Sequence, residues 1–247
     1  MLYSNILFLI SLNTQFHLLL YHFADQPSDA WRVTNLGGRG AVAVRVLDLA
    51  FADSGRLRPR VVRKGEFLAR EGDASNYVFR VRSGGLMLLS EHEDGSYTAS
   101  DWAGPKSLCG LEDAVCRLPY RCSYRATAPT AVECLPAAEL RHTMEANPAF
   151  ALGVATYLSD RVRFFGRHTE LLAHGEIAKR VRETLRTLAE RQADDGKPPA
   201  LCFSQSDLAA LVGASRQRVN PVLTALRRAG ILELQQGVVR ILTVTAL

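Results

Sequence analysis

The sequence has no CxxC pair, and its five cysteines (109, 116, 122, 134 and 202) all lie beyond residue 108. That spacing excludes a zinc ribbon, and the odd count argues against a disulfide framework, so reduced thiols are expected and neither a metal nor an iron–sulfur cluster. Histidines stand at 17, 22, 92, 142, 168 and 174 without forming a ligand pair. His168 and His174 are six residues apart and do not share a helix face. No Ser/His/Asp order, metal motif or phosphate loop appears, so no catalytic residue is assigned and the chain does not read as an enzyme. Charge is missing from residues 1–24, which contain no Asp, Glu, Lys or Arg. Yet Asn13, Thr14 and Gln15 interrupt that apolar stretch, and no basic start precedes it. A signal peptide needs the basic start, and a spanning helix needs about 20 uninterrupted apolar residues. Residues 1–40 therefore read as an extension foreign to the fold, with a membrane anchor as the competing reading.

What is present is an ordinary globular composition with a basic end. The 247 residues are 47% hydrophobic and 22% charged, with a formal net charge of +5. This length suits two modest domains. Residues 175–247 carry eleven Lys/Arg against seven Asp/Glu, which places most of the excess there. A positive module suits a polyanion partner.

The stretch 203–232, FSQSDLAALVGASRQRVNPVLTALRRAGIL, carries the sharpest local signals. Ser204 or Ser206 is placed to N-cap a helix, because a short hydroxyl accepts a bond from an orphan backbone N–H. Leu208, Leu211 and Val212 recur at helical spacing, and Gly213 supplies a left-handed end. Ser215 is a second N-cap, after which Val219, Val222, Leu223 and Leu226 form an apolar face. Arg216, Gln217, Arg218 and Asn220 lie off that face. Two amphipathic helices about a short Gly-containing turn are the helix-turn-helix signature. After Gly230, two apolar runs around the QQG turn at 235–237 predict a β-hairpin, which completes a winged helix-turn-helix.

Upstream, 41–57 suggests a short helix, and 58–136 changes to short strands between glycine turns. Strands are expected at 60–63, 67–69, 77–81, 86–89 and 97–102, in an antiparallel barrel or jelly roll. After Asn147-Pro148 the chain runs without a breaker to Gly166 or on to His174. Ala151, Ala155, Leu158, Val162, Phe165, Thr169 and Leu172 alternate by four and three residues, a coiled-coil seam. Phe150, Val154, Tyr157 and Phe164 form a second apolar face that suits contact with the roll. A helix simply buried within one domain is the alternative. Gly175 marks a hinge before a basic amphipathic helix over 176–192, and ADDGKPPA at 193–200 reads as a linker.

The spacing KGEFLAREGDASNYVFRVRSGGLMLL, the later ATAPTAVECL and the segment GASRQRVNPVLTALRRAGIL together resemble the Crp/Fnr family of bacterial transcription regulators. The resemblance covers about 45 to 245. It implies an α+β chain: a cyclic-nucleotide-binding-like antiparallel β-roll over 41–146, a dimerisation helix over 147–174 and a winged helix-turn-helix DNA-binding domain over 175–247. It also implies a cytoplasmic homodimer that reads a palindromic site in double-stranded DNA, with RNA polymerase as a partner. By the same resemblance Arg216, Gln217 and Asn220 meet base edges, and Ser204, Gln205, Ser215 and Arg218 meet phosphates.

The family's nucleotide-binding versions carry Gly-Glu early in the cassette and Arg-Ser/Thr-Ala later. This chain has CGLEDAVCRLPYRCSYRATA. Gly110 is followed by Leu111, with Glu112 next. Arg121 lies near the phosphate position, Cys122-Ser123 replaces the small hydroxyl pair, and counting back from Ala128 places Cys122 where the Arg belongs. Phe165 and Gly166 stand where cyclic-AMP versions place hydroxyls against the adenine. Two lost charge-assisted bonds, each roughly 1.5–3 kcal/mol, predict weak cyclic AMP binding, so the effector is another, more apolar molecule or none. The rival to a regulator is a ligand- or protein-binding roll with a vestigial DNA unit. Pro221 departs from the family, removes the bond to the Gln217 carbonyl, and predicts a bend or a tightened start to the second helix.

Overall fold

Short strands between glycine turns must find partners on their edges, and those of the roll do so in two antiparallel sheets. The computed structural model describes residues 57–192 and 198–247. The chain divides after Gly38, and all described residues belong to the second unit, Arg39–Leu247. The expected helix over 41–57 and the extension 1–40 lie outside the described residues, apart from Leu57. Strands β1 (Arg58–Val62), β2 (Phe67–Ala69), β3 (Tyr77–Ser83), β4 (Leu86–Glu91), β5 (Tyr97–Ala103), β6 (Leu108–Cys109), β7 (Ser123–Ala126) and β8 (Thr130–Pro136) build the roll. One sheet has the order β1-β8-β3-β6 and the other β2-β7-β4-β5. The helix α1 (Leu111–Cys116) interrupts the stretch 58–136 expected as strands and turns, α2 (Ala137–Ala146) follows β8 unforeseen, and β6, β7 and β8 were not individually expected.

Between the sheets lie Phe79, Val81, Leu86, Leu88, Tyr120, Tyr124 and Val132. Successive side chains of a strand point to opposite faces, so Met87 and Leu89 of β4 point away from this core. They are nevertheless buried, together with Ala99 and Trp102, because the C-terminal part of the chain covers that face. This explains why β4 shows four apolar residues in a row.

Helix α3 (Pro148–His174) is one continuous element of 27 residues. Its start follows from Asn147, whose side chain accepts from the Phe150 N–H at 3.1 Å, with Pro148 in the first turn, where no N–H is missed. Phe150, Val154 and Tyr157 are buried against the roll, and the Tyr157 hydroxyl lies 3.2 Å from the Leu108 N–H, whose donation it accepts. Phe164 departs from the expected roll-facing set: it stacks on His168 at 5.7 Å and lies under the guanidiniums of Arg161 and Arg191. The residues expected along the seam do not share one environment. Val162 is 71% exposed, as is Leu152 near the helix start at 67%, whereas Leu158 packs against the core beneath α3 and Phe165 lies against Arg121 and Arg161.

Helix α4 (Ile177–Gln192) starts one residue later than expected and buries Val181, Leu185, Leu188 and Ala189. The expected linker ends early, because Ala200 already belongs to β9 (Ala200–Leu201), which pairs with the later hairpin. Helices α5 (Gln205–Leu211) and α6 (Arg216–Arg228) follow, then β10 (Leu232–Gln235) and β11 (Val238–Ile241) in a sheet of order β10-β11-β9. No helix among the described residues is long and apolar enough to cross a membrane.

Candidate nucleic-acid interface

The two helices of the reading unit are set by their ends. Ser204 caps α5 in a reciprocal box: its hydroxyl accepts from the Asp207 N–H at 3.1 Å, while the Asp207 carboxylate accepts from the Ser204 N–H at 2.9 Å. After Val212, Gly213 takes a φ of +61°. The Ala214 N–H reaches the Ala209 carbonyl and the Gly213 N–H the Ala210 carbonyl, the paired bonds of a Schellman end. Gly230 ends α6 in the same way, with Ile231 bonded to Leu226 and Gly230 to Arg227. Ser215 stands at the N-cap of α6 as expected but makes no side-chain capping bond. Helix α6 continues through Pro221, and its start is tight. The Arg218 and Val219 N–H groups both donate to the Ser215 carbonyl, at 3.0 and 3.2 Å.

Val219, Leu223 and Leu226 hold α6 in the core, which turns Ser215, Arg216, Gln217, Arg218 and Asn220 to solvent. Among the described residues no carboxylate pairs with Arg216, Arg218, Arg227 or Arg228. A groove of about 240 Å³ runs beside the start of α6, lined by Ser204, Gln205, Ser206, Arg216 and the hairpin tip Gln236-Gly237. The structure thus brings Ser204, Gln205 and Arg216 to one groove and keeps Ser215, Gln217, Arg218 and Asn220 along the exposed side of the neighbouring helix.

The roll carries the reading unit directly. Trp102 of β5 meets Phe203 edge-on at 5.4 Å, and its Nε1 donates to Thr127 at 3.1 Å. The Thr127 hydroxyl in turn donates to the Cys202 carbonyl. Arg125 of β7 pairs with Asp207 at 2.8 Å, and the Tyr97 hydroxyl reaches the same carboxylate at 3.4 Å. Deeper, Asp101 of β5 accepts from Arg161 of α3 at 2.6 Å and from Arg191 of α4 at 2.8 Å. Burial alone would raise the Asp101 carboxyl, but the Arg191 and Arg161 guanidiniums outweigh it and hold the group down to about 2. Full burial of one large apolar side chain contributes about 1.5–3 kcal/mol. Met87, Leu89, Trp102 and Phe203 together therefore make this a firm contact between domains. Sequence reasoning missed Asp207, Arg125 and Asp101. The Ser-x-x-Asp spacing at 204–207 was the one visible signal, since it is close to a capping box.

The roll and the reading unit each match a family model: a cyclic nucleotide-binding domain over residues 59–147 and a Crp-like helix-turn-helix domain over residues 179–247. The chain belongs to the Crp/Fnr family. It is a transcription regulator of that type, with a cyclic-nucleotide-binding-type domain and a helix-turn-helix DNA-binding domain. Over 204 residues it is 26% identical to the transcriptional activator protein anr of Pseudomonas aeruginosa, covering 81% of this chain and 83% of that one. A cyclic AMP receptor protein of Thermus thermophilus is 27% identical over 182 residues, covering 74% of this chain and 82% of its own. The fold is that of FixK2 from Bradyrhizobium japonicum, with a TM-score of 0.67 at 20% identity over 77% of this chain and 94% of that one.

Against the Crp/Fnr pattern, the residues expected around an effector part company. Glu112, Arg121 and Phe165 come together: the guanidinium of Arg121 is 3.3 Å from the Glu112 carboxylate and 5.2 Å from the centre of the Phe165 ring. Leu111 is buried in the core beneath α3, whereas Cys122 is buried in the core between the sheets, so they do not face one cavity. Ser123 is buried, and its hydroxyl accepts from the Glu71 N–H at 3.0 Å. Gly110 lies against the Tyr120 ring, where an added Cβ would come within 2.6 Å. Tyr120 packs with Tyr124 at 5.5 Å and Phe79 at 5.7 Å, an aromatic cluster inside the roll. Burial pushes the Cys122 thiol up to about 12 and raises Cys109 well above its ordinary value, so both are held as neutral core thiols. Among the described residues no three His, Cys, Asp or Glu gather to hold a metal ion.

Proposed function

We propose that the chain is a cytoplasmic, non-enzymatic regulator that dimerises along α3 and reads two half-sites of a palindrome about one helical turn (~34 Å) apart. The domain divisions are those of the sequence reading: extension 1–40, roll 41–146, dimerisation helix 147–174 and reading domain 175–247. The observation that carries the reading is the exposed, uncompensated face of α6 beside its groove. Arg216 takes a guanine through O6 and N7, and Gln217 and Asn220 read neighbouring bases. Ser204, Gln205, Ser215 and Arg218 hold phosphates and set the register. Along α3, Ala151, Ala155, Leu158, Val162, Phe165 and Leu172 meet the same residues of a second copy, which would cover the exposed Val162. RNA polymerase is the partner at the promoter.

Cyclic AMP is not the effector in this reading. Arg121 is already neutralised by Glu112, and the roll interior is filled by Tyr120, Tyr124 and Phe79. The effector is a more apolar molecule or is absent. Selection of bound sequences from random DNA by the purified protein, with and without cell extract, tests the reading. A two-fold symmetric consensus is the expected result, and enrichment of no sequence would overturn it. Titration calorimetry with cyclic AMP should show no micromolar binding, and a micromolar constant would overturn that part.

A further inference from the structure

The turn between β1 and β2 reaches the hairpin of the reading unit. The Lys64 ammonium nitrogen lies 3.5 Å from where a Cβ on Gly237 would stand. Gly237 and Gln236 form the tip of that hairpin and line the same groove as Ser204, Gln205 and Arg216. Arg63 and Lys64 are both exposed, and among the described residues neither side chain has a carboxylate partner. The acid on the same turn, Glu66, accepts from the Arg63 backbone N–H at 2.8 Å and leaves the turn with two cations against one carboxylate. Elsewhere on the roll, Arg70 stands on Glu91, Arg80 on Glu133, Arg121 on Glu112 and Arg125 on Asp207, while Arg58 and Arg60 are engaged by the Tyr77 hydroxyl and the Leu68 carbonyl.

The turn is also held in place. The Gly65 N–H donates to the Ala126 carbonyl at 2.8 Å, and the Ala126 N–H donates to the Glu66 carbonyl at 2.9 Å. Two free cations on a fixed turn, continuous with the groove of the reading unit, suit a polyanion that runs past the half-site.

We propose that the Arg63-Lys64 turn of the effector roll is a second DNA-contacting surface, which binds backbone phosphates beyond the bases read by α6. The proposal rests on the DNA-binding reading above. Phosphate contacts position a protein without specifying sequence. The roll therefore adds affinity and footprint length but no base preference. It also makes binding sensitive to the angle at which the roll carries the hairpin.

The test uses the full-length protein and the duplex enriched from random DNA, with binding measured across a salt series for wild type, Lys64→Gln, Arg63→Gln and the double variant. Each contact removed should lower the slope of log affinity against log salt by about 0.9, with a loss of roughly tenfold at ~0.1 M salt; where two half-sites are engaged the slope change doubles and the loss becomes roughly a hundredfold. The preference for the selected over a scrambled duplex should not change. Trimming the flanks should bring wild type down to the double variant and leave the variant unaffected. An unchanged slope in the double variant, an equal loss on the trimmed duplex, or a loss of sequence preference would each overturn the proposal. If wild type shows no selective binding while its melting curve is cooperative, the DNA-binding reading itself has failed, and this proposal falls with it. Because no RNA polymerase is present, a loss seen with DNA alone also separates phosphate contact from a protein docking role.

Discussion

Arginine serves two opposite purposes in this molecule. On α6, Arg216, Arg218, Arg227 and Arg228 stand without carboxylate partners among the described residues. Where roll, α3 and α4 converge, Arg161 and Arg191 both stand on Asp101, whose side chain is 1% exposed. Arg125 likewise stands on Asp207. The paired guanidiniums join elements and contribute no free charge. The unpaired ones leave a positive face that only an outside anion neutralises. Net charge alone does not separate these uses, but pairing does.

The largest expected break comes on the paired side. Asp101→Ala leaves two guanidiniums without their shared carboxylate at a junction of three elements, and removing one side of a buried pair costs about 3–5 kcal/mol. Urea unfolding should show that loss, and a change below ~1 kcal/mol would mean the junction is incidental. The same group sets an acid limit. Because its folded carboxyl is depressed to about 2, its contribution is complete above the unfolded value near ~3.9 and disappears as pH falls through about 2. Wild type and Asp101→Ala should therefore converge in stability at the acid end.

On the unpaired side the effect is smaller and of another kind. Arg216→Ala should cost about 1–3 kcal/mol of binding and relax one base position, with folding stability unchanged. An equal fall on all sequences would make Arg216 a phosphate contact instead. The smallest effect concerns the thiols. A thiol reagent should modify the exposed Cys116 first, with Cys109, Cys122 and Cys134 protected until the roll unfolds. Prompt labelling of the buried three would contradict the filled interior of the roll.

Local chemistry made the reading unit legible. Ser204, Gly213 and Gly230 announce their helix ends through rules that span only a few residues, and the QQG turn announces the hairpin. The glycine-punctuated strands of the roll were legible for the same reason. What pairs across the chain was not. Arg125 and Asp207 are 82 positions apart, and nothing local to either names the other. Trp102 and Phe203 read as ordinary apolar residues until the fold sets one ring on the other. The effector cassette was half legible. The missing ribose acid showed in Gly110-Leu111, but the separation of Leu111 and Cys122 into different cores depends on how α1 packs beneath α3. Asp207 lay in plain view at capping-box spacing, yet its second role depends on a β-strand of the other domain.

The central claim is that the free face of α6 reads DNA by sequence, and binding to the selected duplex and to a scrambled one across a salt series tests it most directly. We expect a steep fall with salt on both, with the selected duplex bound at least ~10³-fold more tightly at physiological salt. Equal affinity for the two duplexes, or binding indifferent to salt, would contradict the account.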